Sequence, residues 1–475
     1  MISGIATRAV VILLALSPAL QGGGDGPVIT HTGVNRLAKG ADLIVEATVT
    51  GPRPIARVRF SYQTGERFGD VALSRSGPTT WGGRIPAARF TGNFSYIIHA
   101  SDAGGRTSIW PGSPTGHPVT LTDPEKPAAN RHWLYVAVPG VRNYVEHGGA
   151  GVLVFDIANG HRFVKRIPTI DAPAGQDPEN VKGVALSVAT GLLYVTTPRR
   201  MFALDVHTER VVWNKEYEGG CDRMALSPDG KLLYVPSFEG PHWHAVDART
   251  GDVIARIEPK SGAHNTVYGL EGSEVYLAGL ASPILHVADP KTHTITKKVG
   301  PFTNMIRPFT VNGSQTLCFV NVNGLLGFEI GDLKTGKMLH RVEVKGYRQG
   351  PVKRHSCPSH GVGLTPDESE IWVTDSANSS LHIFDATVMP PRQVTSLHVR
   401  DQPGWITFSL DGRYAYPSTG EIIDVKTRKV VATLTDEVGR AVQSEKVVEA
   451  IFEAGRLTRA GDQFGVGRVR AKGKR

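Results

Sequence analysis

The chain runs to 475 residues, long enough for two or three domains, and is rich in glycine (54) and proline (31). Its 53 Lys and Arg outnumber 44 Asp and Glu for a formal net charge of +9, but residues 456–475 alone carry seven basic residues and one Asp. The remainder is near balance and lacks interleaved aromatics, which argues against a nucleic-acid face, and no P-loop, Rossmann or G-x-S-x-G motif suggests a nucleotide enzyme or serine hydrolase.

In chain order, residues 1–22 have the pattern of a secretory signal. Arg8 supplies the positive region, AVVILLALSPAL the apolar stretch and residues 19–22 the small-residue cleavage region. The apolar run is short for a membrane span, and no cysteine follows it as a lipid anchor. An exported protein, periplasmic or extracellular, is therefore expected. Residues 27–122 contain short alternating runs such as DLIVEATVTG and NFSYIIHASDAGG at intervals of about ten, the pattern of a β-sandwich. The passage GRIPAARFTGNFSYIIHASDAGGRTSIWP resembles the last strands of bacterial immunoglobulin-like or fibronectin-III-like modules, which implies a spacer or adhesive role. Residues 123–130 read as a linker.

From residue 131 to 455 the chain repeats. The clearest unit, CDRMALSPDGKLLYVPSFEGPHWHAVDARTGDVIARIEP, reads as four short strands with turns at PDG and DARTGD. The Asp that opens the second turn recurs at 156, 205, 247, 289, 332, 385 and 424, where its carboxylate is expected to accept backbone N–H groups. Seven such units predict an all-β, seven-bladed propeller. The phrases LSPDGKLLYV and VDARTGDVIARI resemble the YVTN-repeat, WD40-like propellers of the quinoprotein amine dehydrogenase-like superfamily. That resemblance implies the fold and an exported location. The first unit lacks its inner strand, and SEKVVEAIFEA near the end is expected to supply it and close the ring. Residues 456–475 then read as a solvated basic tail. Cys221, Cys318 and Cys357 are too few for a disulfide framework and are expected to be unpaired.

Aligning the repeats on their SPDG turns brings the residues that begin each inner strand to one level. They are Lys182, Asp222 with Arg223, His264 with Asn265, Arg307, His360, Trp405 and, in the closing strand, Glu445 or Lys446. Facing loops add Arg142, Tyr144 and His147, then Arg199 and His242. So many ionisable groups at one mouth point to a ligand site, and the surplus of Lys and Arg to an anionic small molecule or uronate-like saccharide. Trp405 and Tyr144 are candidates to stack on a sugar ring.

Three chemistries remain open. His264, His360 or Tyr144 as base with Arg307 neutralising an enediolate would give lyase-type β-elimination. His264, His355 and His360, with Asp222 or Glu445, would instead hold a divalent metal for lactone or glycan cleavage. A non-catalytic scaffold binding a protein partner is the third.

Overall fold

The computed structural model describes residues 26–113, 115–122, 130–169, 177–351, 354–355 and 357–470. The expected signal segment lies outside them, as does the linker apart from Asn130. The chain divides into two compact units, one ending at Ala128 and the other beginning at Ala129.

In the first unit, strand Leu43–Thr50 buries Leu43, Val45, Ala47 and Val49 and exposes the residues between, because successive side chains leave a strand on opposite faces. Strand Phe94–Asp102 buries Phe94, Tyr96, Ile98 and Ala100 in the same alternation, with half-buried residues between. One sheet runs Val28–Thr30, Leu43–Thr50, Thr80–Ile85, Ser74–Arg75. The other runs Arg36–Ala38, His117–Thr122, Phe94–Asp102, Ile55–Thr64, Arg67–Ala72, with Thr107–Trp110 beside Phe94–Asp102. Residues of both sheets, among them Val45, Trp81, Phe60 and Tyr96, share one core.

The second unit is propeller-like. Among the described residues it consists of seven sheets, six of four strands and one of five. The third sheet, Ala225–Leu226, Leu232–Pro236, Trp243–Asp247 and Val253–Ile257, shows how the sequence builds each one. Ser227 Oγ accepts the Leu232 N–H at 2.9 Å across the SPDG turn, and Gly230 there has φ +71°, a conformation open to glycine at little cost. Asp247 Oδ1 accepts the N–H groups of Arg249 and Thr250, both at 2.9 Å. The Asp at the same place in the other six sheets also accepts a backbone N–H. Leu233, Tyr234 and Val235 are fully buried, whereas Val253 and Ile254 of the outer strand are exposed. The second strands are therefore covered on both faces, and they read as unbroken apolar runs for that reason.

The first sheet joins distant parts of the chain. Strand Val447–Glu453 pairs antiparallel with Arg131–Val138, placing Ala450 opposite Trp133, and Gly151–Asp156 and Arg162–Ile167 follow outward. Glu449 on that late strand is paired with His132 and accepts the Leu410 N–H of the seventh sheet at 2.6 Å.

Residues 456–470 are not the solvated tail expected from the charge of 456–475, whose last five residues lie outside the described ones. Arg456–Ala460 pairs with Val447–Glu453 as the fifth strand of the first sheet. The chain then passes across the inner strands of other sheets, with Gln463, Phe464 and Val466 buried. Gln463 accepts the Val184 N–H and donates to Met224 O, both at 3.2 Å. Gly465 O accepts from Thr310 Oγ1 and from the Leu364 N–H, both at 2.9 Å. Trp405 Nε1 donates to Gln463 O. Positive charge at either end misled the reading of composition, because the apolar residues of FGV sit between two groups of basic ones.

Two outcomes follow. Phe464→Ala should lower unfolding free energy by about 3 kcal/mol in denaturant titration, where a solvated tail would give a change within about 0.5 kcal/mol. The second concerns His132, whose hydrogen bond to Glu449 raises its pKa above the usual 6.5 although burial opposes it. A raised folded pKa stabilises fully below the unfolded value, and that stabilisation is lost as pH rises through the folded one. His132→Gln should therefore cost about 1 kcal/mol or less near pH 5.5 and nothing near pH 9, read by urea melts of both proteins.

Candidate functional site

The inner strands begin, as the repeat alignment requires, with a connected group of buried polar side chains. Asp222 and Arg223 enter the third sheet, and His264 and Asn265 begin the fourth. A parallel bridge between Arg223 and Asn265 holds the two levels together. Asp222 is wholly buried. Its Oδ2 accepts from His264 Nδ1 at 2.6 Å, its Oδ1 accepts the Arg223 N–H at 3.0 Å, and Lys182 Nζ lies 3.5 Å away. Because a carboxylate only accepts, His264 carries its proton on Nδ1. Its Nε2 faces the Arg223 guanidinium at 3.4 Å.

Arg223 connects this group to the next. It pairs with Glu445 and lies over the Trp405 ring, 4.2 Å from its centroid. Lys446 Nζ donates to Glu445 Oε2 at 2.6 Å and to Gly140 O at 3.1 Å. The other carboxylate oxygen, Glu445 Oε1, stands 3.1 Å from His355 Nε2. The His355 and His360 rings stack at 4.2 Å with 20° between their planes. His360 Nδ1 donates to Gly404 O at 2.9 Å, which leaves Nε2 as its lone-pair nitrogen.

Burial and charge set the protonation states. Burial works against ionisation of Asp222, but His264, Lys182 and Arg223 outweigh it and hold the carboxyl down to about 2. Burial likewise opposes the charge of Glu445, and Lys446 and Arg223 together keep it well below the usual carboxylate range. Burial lowers His264 despite Asp222, lowers His355 to about 4 and takes His360 well below its ordinary value. Burial, reinforced by Arg223, lowers Lys446 to about 7. The three histidines are neutral at neutral pH, between two carboxylates and three basic groups.

A second, more exposed set of residues surrounds Arg354, next to His355 in the chain. Arg142 Nη2 donates to Arg354 O at 2.6 Å, and Arg142 has φ +47°, an uncommon conformation for a residue with a Cβ. Arg354 Nη1 donates to Gln443 Oε1 at 3.1 Å, and Nη2 approaches His147 Nε2 at 3.5 Å. Its guanidinium carbon is 5.8 Å from the Tyr144 ring centroid.

The structure therefore brings together Lys182, Asp222, Arg223, Asn265, His264, His355, His360 and Trp405, and separately Arg142, Tyr144 and His147. Other expected residues lie elsewhere. Arg307 donates its Nε–H to Asn323 Oδ1 at 2.5 Å instead of standing between the histidines. Arg199 pairs with Glu179. His242 Nε2 lies 3.0 Å from His244 Nε2, and both approach Glu218 O, at 3.1 and 2.9 Å. His264 has no place in a common metal group with His355 and His360, since Asp222 takes one nitrogen and Arg223 faces the other. Trp405 is not a free stacking face either. It is 3% exposed, with Arg223 over its ring and Phe464 at 5.9 Å.

Sequence reasoning missed Arg354, Gly404 and Gln463. Arg354 sits one residue before His355, so its signal was present, whereas nothing in the repeat pointed to Gln463. The three cysteines are free and buried. Cys357 Sγ donates to Ser359 O at 2.9 Å, and burial pushes its thiol up to about 12, so it is inert loop packing.

No family model matches the chain, and no curated protein does. Among solved structures it is similar to Kuenenia stuttgartiensis hydrazine synthase, at 11% identity and a TM-score of 0.37, covering 55% of this chain and 98% of that one. The class therefore rests on the described strands themselves: an all-β protein of repeated, four-stranded antiparallel sheets, propeller-like in its second unit. No helix among the described residues is long and apolar enough to cross a membrane.

Proposed function

We propose that the second unit is a seven-bladed ring closed by Val447–Glu453, and that its polar mouth binds an anionic small molecule or uronate-like saccharide. Closure is supported by the pairing of that strand with Arg131–Val138 and by the Glu449 contacts to both the first and seventh sheets. The reading carries an exported location with it, on the strength of residues 1–22. The YVTN resemblance agrees with both.

One observation carries the ligand class. Arg142 and Arg354 converge at the mouth on neutral partners, with no carboxylate paired to either among the described residues. Deeper in, Asp222 and Glu445 are already matched by Lys182, Arg223 and Lys446. The two guanidinium groups are the charge left over, and planar forked donors suit a carboxylate. The lyase alternative draws less support with His264 as its base, because Arg307 is bonded to Asn323 and His264 Nε2 faces a cation.

Calorimetric titration with glucuronate and with glucose tests the ligand. Glucuronate should bind more tightly, and Arg142→Gln with Arg354→Gln should weaken it about tenfold or more while leaving the melting temperature in place. Equal affinity for the two sugars, or indifference to the double substitution, would refute anion recognition. Ending the chain at Ala441 tests the ring, since loss of cooperative unfolding is expected and an unchanged melting transition would sink closure.

A further inference from the structure

We propose that His355, His360 and Glu445 form a binding site for a divalent transition metal ion of the zinc type. The inference stands without the anion-binding reading, because it concerns a different set of donor atoms.

One donor atom from each of the three residues lies within 4.8 Å of the other two. In each residue, the local contacts favour ligation. His360 donates Nδ1–H to Gly404 O, the arrangement by which a backbone carbonyl fixes a metal-binding imidazole with its other nitrogen free. Glu445 has its Oε2 held by Arg223 and Lys446, which orients the carboxylate and leaves Oε1 to the site. His355 Nε2 and Glu445 Oε1 are 3.1 Å apart, yet both are buried without a hydrogen bond. Two buried polar atoms facing each other unpaired call for a third atom that both can bind.

Gly404 packs against these two atoms closely enough that only a residue without a side chain fits. A Cβ added there would lie 2.2 Å from His355 Nε2 and 2.8 Å from Glu445 Oε1. Both separations are shorter than a real Cβ contact, so Gly404→Ala would push His355 and Glu445 off their present places. Two imidazoles and one carboxylate suit borderline ions, and three protein donors leave a tetrahedral ion one position for water or an anion.

The full-length protein, stripped with chelator and dialysed, should take up one equivalent of Zn2+ by calorimetry. With Co2+ it should give the visible absorption of a four-coordinate site. His355→Ala and Gly404→Ala should each weaken binding roughly 100-fold or more, whereas His242→Ala should not. Circular dichroism of the metal-free variants confirms that they are folded. Should either variant fail to fold, the wild-type stoichiometry and Co2+ spectrum decide alone. Absence of Zn2+ uptake and of a Co2+ spectrum in the wild type, or full affinity in a folded His355→Ala protein, would overturn the proposal.

Discussion

Two carboxylates buried at the inner ends of the sheets, Asp222 and Glu445, are the constraint around which the second unit is arranged. Each is removed from water, and a buried charge is tolerated only where opposite charges and hydrogen bonds replace the lost hydration. Asp222 has Lys182 and His264 around it. Glu445 has Lys446 and Arg223. Arg223 is common ground, since it pairs with one carboxylate, approaches the histidine of the other and covers the Trp405 ring. The Trp405 ring helps orient the guanidinium, and its own N–H is satisfied by Gln463 O. Removing Lys182 or Arg223 would take an opposite charge from a buried carboxylate, so the sheets that supply them are bound together by electrostatics as well as by apolar packing.

Much of this was legible in the sequence because the turns keep time. Every Asp from 156 to 424 that ends a third strand accepts a backbone N–H, and the SPDG of residues 227–230 has looser counterparts in TPDE and SLDG. Aligning them put Lys182, Asp222, Arg223, His264, His360 and Trp405 at one level, and the structure joins all six through contacts. What the register could not supply was direction. Trp405 was aligned correctly, but whether its face met solvent or Arg223 depends on packing that no repeat encodes. Arg199 and His242 come from loops of variable length, and each turned to a partner nearby, Glu179 or Glu218.

The carboxy-terminal segment was illegible for another reason. It belongs to no repeat, so the period that organised the rest was silent about it. Its charge gave the wrong answer because Arg456, Arg459 and Arg468 flank a few apolar residues that decide its course. Arg468 pairs with Asp462, and FGV is buried between. Composition averages over a window, whereas burial is settled residue by residue.

The junction of Val447–Glu453 with Arg131–Val138 has a further consequence, for the order of events during synthesis. His132 and Glu449 are separated by 317 positions, so the first sheet of the second unit waits for a strand made long after Arg131–Val138. Contacts of such long range form slowly, after the entropy of closing a large loop has been overcome. Until then the first sheet keeps an open inner edge, and Arg223 has no Glu445 to meet. A chain without residues 445–453 would thus lack the inner strand of that sheet and the partner of Arg223 at once.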